Sequence, residues 1–330
     1  MVNEPAVEEV AEGIWAVPMG LPGTFPGGSM SLSWSYVVND FSGGLHVLDP
    51  GWDLPENLAR WEGVLTGQGR TWSEVATVTA SHLHRDHLGL AGEFQRRSGA
   101  RLVMHEHEAR AVGDAGQAQR EGREFEVNRL TRSYTLMTQE RLEEFGVPEH
   151  RREELRAIPP VMPFPQPQIR IVDGEALPIP GRSIIAHWAP GHTGGHLCLV
   201  EEATGVIFTG DHVLPGINSG IGLGGRSPTN PIADYLRSLD RVSEFDSYLA
   251  APGHGQRFRG LARRAQKLAS HHRHRSQEVG AAMPMSDTVW EIATRIRWSD
   301  GFENLQGYKL GSALSQVSMH MEYVRGGGAE

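Results

Sequence analysis

The sequence predicts an α/β fold with a helical insertion and a small helical appendage at its C-terminal end. Short runs rich in Val, Ile and aromatic residues alternate with helix-like stretches up to about residue 107 and again after Arg170. The segment between them, from about His107 to Gln168, is charged, favours helix and ends in a proline-rich run. From Leu261 onward strand character disappears and helices follow. We therefore predict one large domain over residues 1–256, with its insertion at about 107–168, and an appendage over 257–330.

The predicted elements of the first half begin with three short strands, GIWAVPMG, SWSYVVND and GLHVLDPG, which are typical of an antiparallel meander. An amphipathic helix from Pro55 to about Thr66 follows, and then the apolar strand VATVTASH. A helix from Leu88 to Ser98 leads to the strand RLVMHE.

The second half contains five predicted strands, IRIVDG, SIIAHWAPG, HLCLVEEA, GVIFTGDHV and SYLAAPGH. Three helices close the chain, and the second of them is opened by a capping-box pattern of Thr and Glu. Their predicted bounds are Leu261 to Met283, Thr288 to Trp298 and Leu310 to Val324.

Composition limits the classes of function. The net charge of -9 disfavours nucleic-acid binding as the main activity, because a phosphate backbone attracts basic surfaces. The single cysteine, Cys198, allows no intrachain disulfide and is expected to be a small buried residue. The acidic N-terminal segment is unlike a secretory leader, and no apolar run reaches the ~18 residues of a membrane span. We therefore expect a cytoplasmic location without membrane attachment.

The highest density of potential metal ligands follows directly after a strand, where three imidazoles and a carboxylate lie in the segment Ser81-His82-Leu83-His84-Arg85-Asp86-His87. Zinc binds neutral imidazole nitrogens and carboxylate oxygens at about 2.0 to 2.2 Å, and two ions roughly 3.5 to 4 Å apart serve one active site. The chemistry requires further ligands from elsewhere in the chain. Three later strand ends supply them, each beside glycine, in Pro190-Gly191-His192, Gly210-Asp211-His212 and Pro252-Gly253-His254.

These four motifs in this order resemble the HxHxDH signature and the downstream ligand motifs of the metallo-β-lactamase superfamily. The resemblance spans the strand-rich parts of residues 10 to 256 and implies an αββα sandwich with metals at one edge of two sheets. It also implies a hydrolase whose two metal ions share a nucleophilic hydroxide. By position, the first metal would take His82, His84 and His192, the second Asp86, His87 and His254, and Asp211 would bridge both.

Asp86 and Asp211 are the candidate catalytic carboxylates, since Asp86 could also steer a proton to the leaving group. Asp49 corresponds to an early aspartate that resembles an anchor for a ligand histidine, although a turn carboxylate explains it equally well. His196 and His212 flank ligands and are expected to support them. His105 and His107 are expected to be surface residues. The basic tract 271–275, together with Arg257, Arg259, Arg263, Arg264 and Lys267, is expected to be a solvated helix face.

The ligand set alone does not name the substrate. The insertion and the glycine-rich loop from Leu214 to Arg226 are expected to form the walls of the substrate site. Ile217 and Arg226 in this loop would suit a small apolar molecule with an anionic group, which favours a thioester, lactone or carboxylic ester. His320 on the last helix either reaches over the site or faces solvent.

Several alternatives stay open. The C-terminal helices resemble a winged-helix-like tail of endoribonuclease-like relatives, which keeps a phosphodiesterase as one alternative. A mononuclear iron persulfide dioxygenase and a silent binding protein are the others. Zinc is the preferred metal of a two-ion site, and manganese or iron fits the same ligands. The insertion is expected either to close over a small-molecule substrate or to pair two chains in a homodimer.

Overall fold

A computed structural model of the chain describes residues 5–23, 31–123, 127, 137–156 and 165–328. Within these residues, seven strands form one sheet in chain order and four form a second sheet in the order β11-β10-β9-β8. The first sheet contains β1 (Glu8–Ala11), β2 (Ile14–Gly20), β3 (Leu32–Asn39), β4 (Leu45–Leu48), β5 (Val75–Thr79), β6 (Arg101–His105) and β7 (Ile169–Ile171). The second contains β8 (Ile184–Trp188), β9 (Leu197–Glu201), β10 (Val206–Gly210) and β11 (Leu249–Pro252).

The pairing of the strands confirms the expected meander. Strands β1 to β4 are antiparallel neighbours, and β4 to β7 continue the sheet in parallel. In the second sheet β8, β9 and β10 are antiparallel, and β11 runs parallel to β10. Parallel strands deliver their carboxyl ends to the same edge of a sheet, which is where loops from distant parts of the chain can meet.

The described helices are α1 (Pro55–Gly67), α2 (Arg85–Leu88), α3 (Ala91–Ser98), α4 (Glu106–Arg120), α5 (Gln139–Glu144), α6 (Glu149–Arg152), α7 (Pro231–Val242), α8 (Leu261–Ala282), α9 (Val289–Arg295) and α10 (Gly307–Arg325). The predicted helix from Leu88 to Ser98 is wrong at its start, because α2 and α3 are separate. Gly89 lies so close to backbone that a Cβ there would be 2.4 Å from the Arg85 oxygen. The next N–H, of Leu90, donates to Gly51 outside the helix.

The two sheets pack face to face with helices on both outer faces, as the αββα prediction requires. One core lies between the sheets, with Tyr36 against Phe208 at 5.0 Å between ring centroids. A second core packs α1, α3 and α4 on the first sheet, and a third packs α7 and α8 on the second sheet. Among the described residues, no helix combines the length and apolar character needed to cross a membrane.

The described part of the predicted insertion contains α4 to α6, whereas residues 124–126, 128–136 and 157–164 of it lie outside the described residues. Leu142, Phe145 and Leu155 of the insertion share a core with Ile292 and Leu314 of the C-terminal helices. The insertion and the appendage therefore pack together rather than on separate sides. The first half of α8 belongs to the core of the second sheet, and the division at residue 256 stays a prediction.

Candidate metal centre

All seven predicted metal ligands lie at one edge of the sandwich, in segments that leave the carboxyl ends of four strands. The segment after β5, including the first turn of α2, carries four of them. The loops after β8, β10 and β11 carry one each. The side chains are His82, His84, Asp86, His87, His192, Asp211 and His254, and all are buried except His84, which is half-buried.

These side chains divide into two groups, and the potential ligand atoms of each group lie within 4.8 Å of one another. Asp211 stands between the groups. Its Oδ1 lies 3.4 Å from Nε2 of His87, and its Oδ2 lies 3.5 Å from Nε2 of His254 and 3.8 Å from Nε2 of His192. This is the grouping that the sequence predicts for two metal positions sharing Asp211, and metal binding itself stays a prediction. The first group is His82, His84, His192 and Asp211, and the second is Asp86, His87 and His254.

Three of the histidines are oriented by the ring nitrogen that points away from the groups. In each case this nitrogen donates a hydrogen bond to a backbone carbonyl oxygen. Such a bond fixes the orientation of the ring and turns the other nitrogen toward the group, where it can bind a cation once it is deprotonated. The pairs are His84–Leu223 at 2.8 Å, His192–Gly220 at 2.7 Å and His254–Leu32 at 2.9 Å.

Asp49 holds one histidine of each group. Its Oδ2 accepts hydrogen bonds from Nδ1 of His87 at 2.9 Å and from Oγ of Ser81 at 2.7 Å. Oγ of Ser81 lies 3.0 Å from Nδ1 of His82, so the carboxylate reaches that ring through the hydroxyl. Oδ1 accepts from the backbone N–H of Ser81 at 2.6 Å. These contacts support the anchoring role of Asp49 over that of a turn carboxylate.

His196 and His212 differ in their relation to the groups. Nε2 of His196 accepts a hydrogen bond from the backbone N–H of Asp211 at 3.1 Å, and its ring stacks on His82 with 5.1 Å between centroids. The buried ring of His212 instead packs against Tyr235, 4.7 Å away. His196 therefore supports ligands directly, whereas His212 fills space behind Asp211.

The residues present fit a divalent cation. Within the described residues, the buried Nε2 of His87 and Oδ1 of Asp211 face each other at 3.4 Å and neither makes a well-aligned hydrogen bond, although buried polar atoms almost always make one. A divalent metal takes such nitrogen and oxygen ligands. Gly253 allows them to approach, because a Cβ there would lie 2.5 Å from both Oδ1 of Asp211 and Cε1 of His87.

The electrostatics of the two groups differ. Burial lowers the pKa of His192 to about 3 and holds that of His82 well below its usual value, so both rings are neutral, which is the form that binds metals. Burial acts in the same direction on His254, but the carboxylates of Asp211 and Asp86 outweigh it and raise the pKa of His254 to about 10. The two carboxylates therefore concentrate negative charge that favours a cation.

The loop from Leu214 to Arg226, predicted to be a substrate wall, contributes mainly backbone to the site through the carbonyls of Gly220 and Leu223. Ile217 is 38 % exposed at the surface, and the side chain of Arg226 is also exposed. No described contact joins either of these two side chains to a ligand histidine. Their role in substrate binding stays a prediction.

His320, on α10, is buried against α8. Its Nδ1 lies 2.9 Å from Oγ of Ser276, and its ring stacks on His272. The alternative of solvent exposure is therefore wrong, and its described contacts do not support a role in substrate binding. The basic tract is also not wholly a solvated face. His272 is buried, and so is Arg264, which donates from Nε to the carbonyl of Leu214 at 2.6 Å.

His105 is 2 % exposed, so its assignment to the surface is wrong. Its ring stacks on Trp188 at 5.1 Å and 12°, and the half-buried His107 stacks on the same indole at 5.0 Å. Trp188 donates from Nε1 to the carbonyl of Gly194 at 3.0 Å. The end of β6 therefore packs beneath the segment that carries His192, a contact that local sequence did not indicate.

Tyr308, on the first turn of α10, is a residue near the site that the sequence analysis missed. Burial raises its pKa to about 12, and the charges of Asp86 and Asp211 act in the same direction. The start of α10 is fixed by the insertion, since Gly307 donates its N–H to Oε2 of Glu154 at 2.7 Å. The appendage thus brings a phenol that is protonated at neutral pH toward the metal groups.

Comparison with known proteins agrees with this geometry. The family model described as "Metallo-beta-lactamase superfamily" matches residues 30–254. The chain is 31% identical over 119 residues to the lactamase-like protein adaB of Aspergillus niger, a match that covers 36% of this chain and 35% of that protein. It is 25% identical over 243 residues to an atrochrysone carboxyl ACP thioesterase of Aspergillus fumigatus, covering 70% of this chain and 75% of the relative.

A solved structure of a metallo-beta-lactamase family protein from Thermus thermophilus is similar over nearly the whole length. It has a TM-score of 0.73 and 27% identity, with 97% of this chain and 96% of that chain covered. The predicted sandwich and the predicted class of enzyme, a metallo-hydrolase of this fold, are thereby confirmed. The chain belongs to the metallo-β-lactamase superfamily.

Proposed function

We propose that this chain hydrolyses a small ester-type substrate at a site that holds two divalent metal ions, with a thioester as the first candidate and a lactone or carboxylic ester as the others. The observation that carries the proposal is the position of Asp211 between two groups of candidate ligands that are buried except for the half-buried His84. A mononuclear site, as in the iron dioxygenase alternative, does not need the second group of Asp86, His87 and His254.

The residues of the chain have distinct parts in this proposal. Bound divalent ions would lower the pKa of water and polarise the carbonyl group under attack. The neutral rings of His82 and His192 supply nitrogen ligands, and Asp211 belongs to both groups. Asp86, whose Oδ2 lies 3.1 Å from Nε2 of His254, is the candidate for passing a proton to the leaving group.

Two observations support an acyl substrate. The thioesterase relative aligns with this chain over 75% of its own length, although its substrate is its own. In this chain the charges of Asp86 and Asp211 act on the phenol of Tyr308, which makes its O–H a candidate donor to the oxygen of an acyl group. Zinc suits imidazole-rich ligands and a reaction without redox change, and manganese or iron is the alternative. A homodimer formed through the insertion stays part of the proposal.

The test combines metal content and turnover. Purified chain is analysed for metal per chain by mass spectrometry and assayed on thioester, lactone, carboxylic ester and bis-aryl phosphodiester substrates, with His192→Ala as the inactive control. About two zinc ions with thioester or ester turnover that His192→Ala abolishes would support the proposal. One iron ion per chain without hydrolysis would favour the dioxygenase over the proposed function. Turnover of the phosphodiester alone would favour the phosphodiesterase.

A further inference from the structure

Glu108 is a buried acid of the insertion that contacts the segment carrying His192. It lies on the first turn of α4 and is 0 % exposed. Its Oε1 accepts a hydrogen bond from the hydroxyl of Thr193, and the backbone of Gly195 lies directly against Glu108. Both partners lie within three residues of a predicted metal ligand, whereas Glu108 itself belongs to neither metal group.

At Gly194 and Gly195 the backbone segments pack so closely that a side chain would not fit. A Cβ at Gly195 would lie 2.5 Å from the backbone nitrogen of Glu108, and one at Gly194 would lie 2.1 Å from the carbonyl oxygen of Arg226. Three backbone segments, the start of α4, residues 193–195 and residues 224–226, are therefore in direct contact. A shift of one segment must move the others.

Hydrogen bonds connect this junction to the first group of ligands. The N–H of Gly194 donates to the oxygen of Gly224 at 2.8 Å, and the N–H of Leu223 donates to the oxygen of His192 at 2.7 Å. The carbonyl of Leu223 is the acceptor that orients His84. The two loops therefore form one hydrogen-bonded unit that sets the positions of the imidazoles of His84 and His192. Glu108 contacts this unit through Thr193.

We propose that Glu108 is a positioning residue, which holds the Thr193–Gly195 segment so that His192 and His84 keep the geometry needed to bind the first metal. The inference rests on the proposed metal ligation by these two histidines. It gives the insertion a part in the metal centre that is separate from any contact with substrate. Residues that orient metal ligands typically change metal affinity by 10–100-fold when they are replaced.

The chemistry of the carboxyl group indicates which replacement should preserve the role. Burial raises the pKa of Glu108 to about 8, and the hydrogen bond from Thr193 only partly opposes it. The group is therefore mostly neutral at pH 7, and a glutamine has the same shape, the same charge and the same acceptor oxygen. An alanine leaves the hydroxyl of Thr193 without this acceptor and removes the side chain that packs against Gly195.

The experiment is a titration of the full-length metal-free chain with Co²⁺, followed by its absorption spectrum and by competition with a chelator. His192→Ala and His254→Ala identify which binding step belongs to which group. We expect Glu108→Ala to weaken the step that His192→Ala removes by about 10-fold or more, and to leave the His254 step within about threefold. Glu108→Gln should restore both the affinity and the Co²⁺ spectrum.

Two further variants sharpen the test. Thr193→Val removes only the hydroxyl and should weaken the same binding step. In the double variant with Glu108→Ala, the loss of affinity should be smaller than the sum of the two single losses. If Glu108→Ala does not fold, Thr193→Val serves as the test variant in its place. Glu106→Gln, on the same turn of α4, is the matched control and should bind as the unchanged chain does.

Unchanged affinities in Glu108→Ala and Thr193→Val, equal weakening of both steps, or failure of glutamine to restore the step would each overturn the positioning role. A chain that binds no divalent metal overturns the proposed function as well. If the chain binds metal in two steps and the Glu108 and Thr193 variants have the same affinities as the unchanged chain, only the positioning role of Glu108 is overturned.

Discussion

Oδ2 of Asp49 lies 2.9 Å from Nδ1 of His87 and, through the hydroxyl of Ser81, also reaches His82. One buried carboxylate therefore holds a histidine of each ligand group. Asp49 takes a φ of 55°, in the left-handed region that asparagine and aspartate tolerate better than other side chains. The position is thus occupied by a residue that satisfies both the turn and the hydrogen bonds.

Asp49→Asn should keep the turn but weaken metal binding by about 10-fold or more, because the amide cannot accept all three hydrogen bonds from Ser81 and His87. Chelator competition on the purified chain measures this. Asp49→Gly relaxes the backbone and removes the carboxylate, so it should bind metal at least as poorly. Full metal affinity in both variants would contradict the anchoring role.

Asp211→Ala should reduce turnover by about two orders of magnitude or more, because it removes the carboxylate that both groups share. His212→Ala should reduce turnover less than about tenfold, since this ring packs behind the site. Its main effect should be a loss of stability from the cavity. The measurements are kcat and thermal unfolding of both variants. Comparable mild losses of kcat would contradict the assignment of Asp211.

Tyr308→Phe should lower kcat/KM for an acyl substrate by about 10-fold while metal content stays the same, because only the O–H near Asp86 and Asp211 is removed. Tyr323→Phe, at the far end of the same helix, is the matched control and should be neutral. Steady-state kinetics of the two variants decide the matter. Equal kcat/KM in Tyr308→Phe and the unchanged chain would exclude a role for the phenol.

Arg226→Ala should raise KM for an anionic thioester by about 10-fold and leave KM for a neutral analogue unchanged, if the exposed guanidinium binds the anionic end of the substrate. The neutral analogue serves as the internal control for general damage to the loop. Unchanged KM for the anionic substrate would remove the basis for placing Arg226 in the substrate site.

The stability of the metal-free chain should depend on pH through Glu108. Burial raises the pKa of Glu108 from its ordinary 4.5 to about 8, so the folded state binds this proton more tightly than the unfolded state. The resulting stabilisation is complete below about pH 4.5 and is lost as the pH rises toward 8.

Glu108→Gln has no such proton, so its free energy of unfolding should rise relative to the unchanged chain between pH 5 and pH 8. Urea unfolding at several pH values in the presence of a chelator measures the difference. A difference that does not vary with pH would show that Glu108 does not titrate in this range.

The ligand motifs could be predicted from sequence because each is local. Asp211 and His254 both follow an apolar strand and adjoin a glycine that lets other ligands approach, as Gly253 does. The antiparallel meander and the sandwich followed from the same local patterns together with the family resemblance. Even the division into two ligand groups, with Asp211 between them, agreed with the assignment by position.

Tertiary structure alone decided what surrounds these ligands. The bond from Thr193 to Glu108, the effect of Asp86 on Tyr308 and the burial of His320 each depend on segments far apart in the chain. Hydrophobic periodicity predicts that a helix has a buried face, but it does not say which other element covers that face. For this reason the sequence by itself determined the candidate ligand set and the class of enzyme, whereas the packing of the insertion and the last helix determined which side chains surround the two candidate groups.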